Sequence, residues 1–154
     1  MAFVLGPRSL KVLQSVHTDL QKVVNLAITI STVDFAVIQG LRTREQELAL
    51  WLTCHNKDGT PNGQPWKTSA NGTPVGQTNP EGIAGTGLSN HQSGQAVDMV
   101  ALYDGIITWN LPPYLLIDNA MQTAAAKLGI HITYGGGFPK PDNDHWQLSK
   151  AFYS

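Results

Sequence analysis

Apolar positions recur along this chain with two different periods. Between Thr18 and Ile30, Leu20, Val23, Val24, Ala27 and Ile28 follow the i, i+3, i+4, i+7, i+8 spacing of one helical face. A helix starting near Thr18 is therefore predicted. Before it, Ser9 is placed to cap a short helix through about Val16, with Leu10 and Leu13 on one face. Thr43 followed by Gln46 is a capping-box signature and opens a helix through TREQELALWLTC. LPPYLLIDNAMQTAAAKLG is a long amphipathic helix, with a proline pair at its start and Gly129 as its stop.

Shorter, β-branched runs lie between and after these helices. FAVIQG, Phe35 to Gly40, reads as a strand. QAVDMVALY and GIITW are extended runs joined at Asp104-Gly105, the strongest short hairpin signal. IHITYGGGF reads as a strand entering a glycine-rich turn, and HWQL as a last short strand. Helices early and strands late predict an α+β domain, an antiparallel sheet with helices packed on one face. The 33 residues from Asn56 to Leu88 hold seven Gly and four Pro and show no periodicity. A segment of that kind in a compact domain is expected to be a functional loop walling a cleft.

Composition narrows the picture. The 154 residues suit one domain with a real core, spanning 1–154. With 42% hydrophobic and 14% charged residues the chain is an ordinary globular one. Ten Lys and Arg against eleven Asp and Glu leave a formal charge of −1, which gives no overall electrostatic footprint for nucleic acid or an acidic membrane. A single cysteine, Cys54, rules out an internal disulfide, so the fold is expected to form without oxidation. The N-terminus lacks the pattern of a secretory signal, and no apolar run approaches a membrane span of roughly 20 residues. A monomer made soluble inside the cell is expected.

One stretch departs from this ordinary pattern. In LSNHQSGQAVDMV, Leu88 to Val100, Asp98 interrupts an apolar run seven residues after His91. A buried carboxylate needs a cation, a set of donors, or solvent. A spacing of seven does not make neighbours on one helical turn, but a bend at Ser93-Gly94 would turn both side chains to one point. His145 opens the last strand after the turn-forming PKPDND. Two imidazoles and one carboxylate fit zinc and leave its fourth position open, the catalytic arrangement. Hydrolysis would then need a base, and Asp142 and Asp144 are the candidates. Strand alternation turns both away from His145, so Asp142 needs a bend near Pro141. Against these readings stand plainer ones. His17, His55 and His131 have no partner spacing and read as structural or exposed. Asp98 could be held by backbone donors, Arg42 could be a solvated loop charge, and YGGGF a flexible turn.

At these residues the chain resembles the zinc D-alanyl-D-alanine carboxypeptidases and L-alanyl-D-glutamate peptidases. Ser89, His91, Gly94, Ala96 and Asp98 match the S-x-H-x-x-G-x-A-x-D signature. D-x-D-H-W-Q-L matches the D-x-x-H motif followed by an aromatic, and GLRTREQ, Gly40 to Gln46, is similar to the G-x-R-[ST] segment. The N-terminal FVLGPRSLKVLQSVHTDLQKVVNLAI also resembles the opening of single-domain phage endolysins of this type. The ordered motifs span about 110 residues.

The resemblance implies a hedgehog/D-Ala-D-Ala-peptidase-like fold and one zinc ion held by His91, Asp98 and His145. It implies Asp142 as the base, three residues before the last histidine. Arg42 is implied as the group that pairs with substrate carboxylate or polarises the scissile carbonyl, a task suited to a bidentate guanidinium. Ser89 is implied as a hydrogen-bonding wall of the site. The implied activity is endopeptidase cleavage of the peptidoglycan stem peptide by a phage endolysin, made in the host cytoplasm and released to the wall by a holin. Trimming of a terminal D-alanine is the rival within the enzyme class, and an inactive zinc-stabilised wall-binding module the rival outside it. Three departures stand out. The segment before Ser89 is longer than in compact phage members, the base is Asp where Glu is common, and Asp144 adds a second negative charge beside His145.

Overall fold

The computed structural model describes residues 2–56, 58, 60–65 and 90–153. Ser89 and residues 66–88 of the expected loop lie outside the described residues.

Helix α1 runs Pro7–Leu13, starting earlier than the sequence reading placed it. Proline at the first helical position sets the start, because its fixed φ suits a helix and its missing N–H is not needed there. Ser9 is therefore inside the helix and not its cap: its buried hydroxyl accepts the Val37 N–H at 3.0 Å and ties α1 to the first strand. Leu13 is buried, while Leu10 points outward at 41% exposure. Helix α2, Thr18–Ile30, buries all five apolar positions that define its face. His17 caps it, its Nδ1 accepting the Asp19 N–H at 3.0 Å.

Strand β1 is Asp34–Gln39 and helix α3 is Arg44–Trp51. Both arms of the Thr43–Gln46 capping box are present. The helix ends before Cys54 because the chain tightens into i→i+3 bonds, Thr53 N–H to Leu50 and Cys54 N–H to Trp51. Strands β2, Ala96–Tyr103, and β3, Ile106–Thr108, form the hairpin, with Asp104 at φ 49° and Gly105 at φ 79°. Two successive positive φ values are those of a type I′ turn, whose twist matches the strands. Helix α4, Leu111–Leu128, stops at left-handed Gly129, and β4 is Ile132–Tyr134. A single 3-10 turn, Gly135–Gly137, precedes β5, His145–Leu148.

Among the described residues these five strands make one antiparallel sheet, ordered β1-β2-β5-β4, with β3 beside the far half of β2. Side chains alternate across each strand. Phe35 and Val37, Val97, Met99 and Ala101, and Trp146 and Leu148 join α1, α2 and α4 in one core. Each such large side chain contributes about 1.5–3 kcal/mol by leaving water. Asp98, His145 and Gln147 occupy the alternate positions of β2 and β5, on the sheet face that carries no core helix. This is why a carboxylate interrupts the apolar run: only every second residue of that run faces the core.

Candidate metal centre

Asp98 and His145 are direct partners in the β2–β5 register. His91 reaches them from the turn before β2. There Gly94 sits at φ +72°, donates its N–H to the His91 carbonyl at 3.2 Å, and accepts the His17 N–H at 2.8 Å. A left-handed residue at that point reverses the chain, and glycine adopts it without Cβ strain. The bend expected at Ser93-Gly94 is thus the device that folds His91 back onto Asp98.

The three side chains meet atom to atom. His91 Nε2 lies 3.1 Å from Asp98 Oδ1 and 3.2 Å from His145 Nδ1, and His145 Nδ1 lies 3.1 Å from Asp98 Oδ1. The opposite nitrogen of each ring has its own partner. His91 Nδ1 is 3.0 Å from the Gly40 carbonyl, and His145 Nε2 is 2.9 Å from Gln147 Oε1. Both partners are acceptors, so each neutral ring spends its one proton outward and turns a bare lone pair inward. Two imidazole lone pairs and a carboxylate oxygen then converge with no proton between them. A small cation satisfies all three at once. Tetrahedral zinc, with bonds of about 2.0–2.1 Å, sets its ligand atoms about 3.3–3.4 Å apart. The triangle is close to that size, and the residues present fit the ion.

The electrostatics lead to the same demand. Burial pushes the Asp98 carboxyl up, but its contacts with His145 and His91 outweigh that and hold it far below the usual carboxylate range, so the carboxylate draws positive charge to this point, as a ring proton or as a cation. Burial lowers His145, and the Asp98 carboxylate overcomes that and raises it. A positive charge is favoured between the rings.

Asp142 and Asp144 lie on the approach to β5. The His145 N–H reaches the Asp142 carbonyl at 3.2 Å, and the Asp142 N–H reaches the Gly135 carbonyl at 2.9 Å. Asp142 thus lies in a turn before β5 and not on the regular strand, where alternation would apply. It packs against Gly135 so closely that a Cβ there would stand 2.5 Å from the Asp142 carbonyl oxygen and 3.0 Å from His145 Cβ. Asp144 is buried, and its carboxyl is pushed up to about 9 by burial first, then by its hydrogen bond with Asp142 and repulsion from Asp98 and Asp142. Two carboxyls so close in a buried site disfavour simultaneous ionisation, so the second negative charge expected beside His145 is opposed by burial and by Asp142.

Arg42 is not a solvated loop charge. Its Nη1 lies 2.9 Å from Glu47 Oε2, with side chains 17% and 2% exposed, and its N–H donates to the His91 carbonyl at 2.9 Å. Ser89 lies outside the described residues. Three residues were missed by the sequence reading: Glu47 beside Arg42, and Asn90 and Gln147 behind His145. Gln147 carried a legible signal, since a residue two after His145 on a strand shares its face. Glu47 and Asn90 carried none. The other histidines have structural tasks: His17 caps α2, His55 stacks on Trp51 at 3.5 Å, and His131 stacks on Phe152 at 3.6 Å.

Known proteins share this arrangement of sequence and fold. The L-alanyl-D-glutamate peptidase of Escherichia phage T5 is 27% identical over 154 residues, which cover 99% of this chain and 94% of that protein. The crystal structure of the Serratia marcescens L-Ala D-Glu endopeptidase ChiX is similar with a TM-score of 0.72 and 28% identity, over 97% of this chain and 93% of that one. The sequence pattern of the phage L-alanyl-D-glutamate peptidases matches residues 1–50 and 78–153. That match takes in both histidines and the aspartate of the triangle, and the chain belongs to the phage L-alanyl-D-glutamate peptidase family.

Proposed function

We propose that the protein is a zinc-dependent endopeptidase that hydrolyses the L-alanyl-D-glutamate bond of the bacterial peptidoglycan stem peptide. The observation that carries the reading is the triangle of His91 Nε2, Asp98 Oδ1 and His145 Nδ1, with edges of 3.1–3.2 Å and an acceptor oxygen behind each ring. These residues would hold one zinc ion, which when bound supplies a Lewis acid for the scissile carbonyl and lowers the pKa of water towards neutrality. Asp142 takes the proton from the attacking water and returns it to the leaving amine. Asp144, protonated and buried, donates to the Asp142 carboxyl and holds it in place. Arg42 pairs with a substrate carboxylate or the developing oxyanion, and Glu47 holds its guanidinium at 2.9 Å. Ser89 is proposed as a hydrogen-bonding wall of the same site.

The protein is proposed to act as one monomeric peptidase domain, made in the host cytoplasm and reaching the wall after holin-type release. Among the described residues no helix is long and apolar enough to cross a membrane. The test joins metal analysis to lysis of purified walls and the masses of the products. About one zinc per chain and released stem peptides are expected. Release of D-alanine alone would replace the endopeptidase reading with carboxypeptidase trimming, and bound zinc without any hydrolysis would indicate a binding module.

A further inference from the structure

Two ligand rings in one site are held by different means. The partner of His91 Nδ1 is a main-chain carbonyl, that of Gly40. The partner of His145 Nε2 is a side-chain amide, Gln147 Oε1, which also accepts the Asn90 Nδ2 donor at 2.8 Å. A main-chain carbonyl has one chemistry. A glutamine amide has two, because a half-rotation exchanges its oxygen for its NH2 group. With the oxygen forward, His145 carries its proton on Nε2 and presents a bare Nδ1. With the NH2 group forward, Nε2 must accept, and the ring proton moves to Nδ1. That places it inside the triangle, between His91 Nε2 and Asp98 Oδ1.

Asn90, with its Nδ2 turned to Gln147, favours the first state. Its Nδ2 reaches the same oxygen that faces His145, and an NH2 group turned there would meet a second donor. Asn90 also adjoins His91, and its carbonyl accepts the Gln95 N–H at 2.9 Å inside the turn that carries the ligand. We infer that Asn90 and Gln147 form a positioning pair that locks the His145 tautomer, keeping Nδ1 free of a proton, and that ties the His91 turn to the His145 strand. The inference rests on the metal reading above and adds to it two residues that touch neither ion nor substrate. Partners of this kind set the tautomer and basicity of a ligand histidine, and losing one typically weakens metal binding about 10- to 100-fold.

The test reads the imidazole of His145 as well as the metal. Nitrogen-15 shifts of metal-free full-length protein, at a pH where both rings are neutral, should show wild-type His145 protonated on Nε2. Gln147→Met keeps the side-chain volume, removes the acceptor, and should move population to Nδ1–H. Its zinc affinity, from competition with a chromophoric chelator, should fall about 10- to 100-fold. Asn90→Ala should shift both readouts part of the way, and it carries the test if the Gln147 variant does not fold. Gln147→Glu, which accepts but cannot donate when ionised, should restore both. Wild-type tautomer and affinity in Gln147→Met, or in Asn90→Ala where that variant alone folds, would overturn the pair, as would a Gln147→Glu protein as weak as Gln147→Met. A wild type that takes up no zinc would instead overturn the metal reading, and the tautomer of the metal-free rings would still decide the pair.

Discussion

The two faces of β2 follow one alternating sequence and do opposite things. Val97, Met99 and Ala101 are fully buried against helices and have no polar side chain to satisfy. Asp98, one residue from two of them, faces His91 and His145 and concentrates charge. The core face tolerates residues of the right volume at modest cost, whereas the Asp98 position on the other face needs a carboxylate oxygen aimed at two imidazoles. A sheet can thus carry stability and chemistry on adjacent residues, because the period of two keeps them on separate sides.

The comparison breaks first at its sharpest point. Asp98→Ala removes the one anionic ligand of the triangle, and zinc content should fall from about one per chain to none, with lysis lost and the circular dichroism spectrum kept. An unfolded Asp98→Ala protein would show that the metal face also carries the fold. Asp142→Asn should keep the zinc and lower the lysis rate about 10²- to 10⁴-fold, the usual share of a general base. Equal lysis would remove Asp142 from its role and turn attention to Asp144. On the other face, Phe35→Ala should cost about 3–5 kcal/mol in urea unfolding while the zinc affinity of the folded fraction stays as in the wild type. A weakened metal site there would mean that the faces are coupled. The smallest effect is expected for Thr43→Ala, which removes one arm of the α3 capping box and should cost about 1 kcal/mol, without change in zinc content.

Most of this organisation was legible in the amino-acid sequence where a local period or a local signal exists. The five buried positions of α2, the Thr43–Gln46 box, the Asp104-Gly105 turn and the Gly129 stop all depend on residues a few places apart. The start of α1 differs from the expected one because Pro7 and Ser9 both offer helix-start chemistry: Pro7 takes the first helical position, and the Ser9 hydroxyl accepts the Val37 N–H, a tertiary bond no local signal reveals. His91, Asp98 and His145 were legible because histidine and aspartate in an apolar setting are anomalous, and because their spacing matches a known signature. Of the groups that hold them, Gln147 shares the strand face of His145 and was legible as a neighbour, whereas its partner Asn90, 57 positions away, carried no local signal. Glu47 on a helix with mixed polarity reads as solvated, yet it is almost fully buried against Arg42.

Gly135 has a further consequence for how freely this enzyme can be redesigned. The hydrogen atom on its α-carbon faces both the carbonyl of the proposed base and the β-carbon of the last ligand. A methyl group there would press on both at once, so the proposed proton transfer and metal capture share a single point of failure at a residue with no side chain. Random variation at position 135 should therefore return glycine alone, however generously the rest of the barrel-free, helix-backed scaffold accepts change.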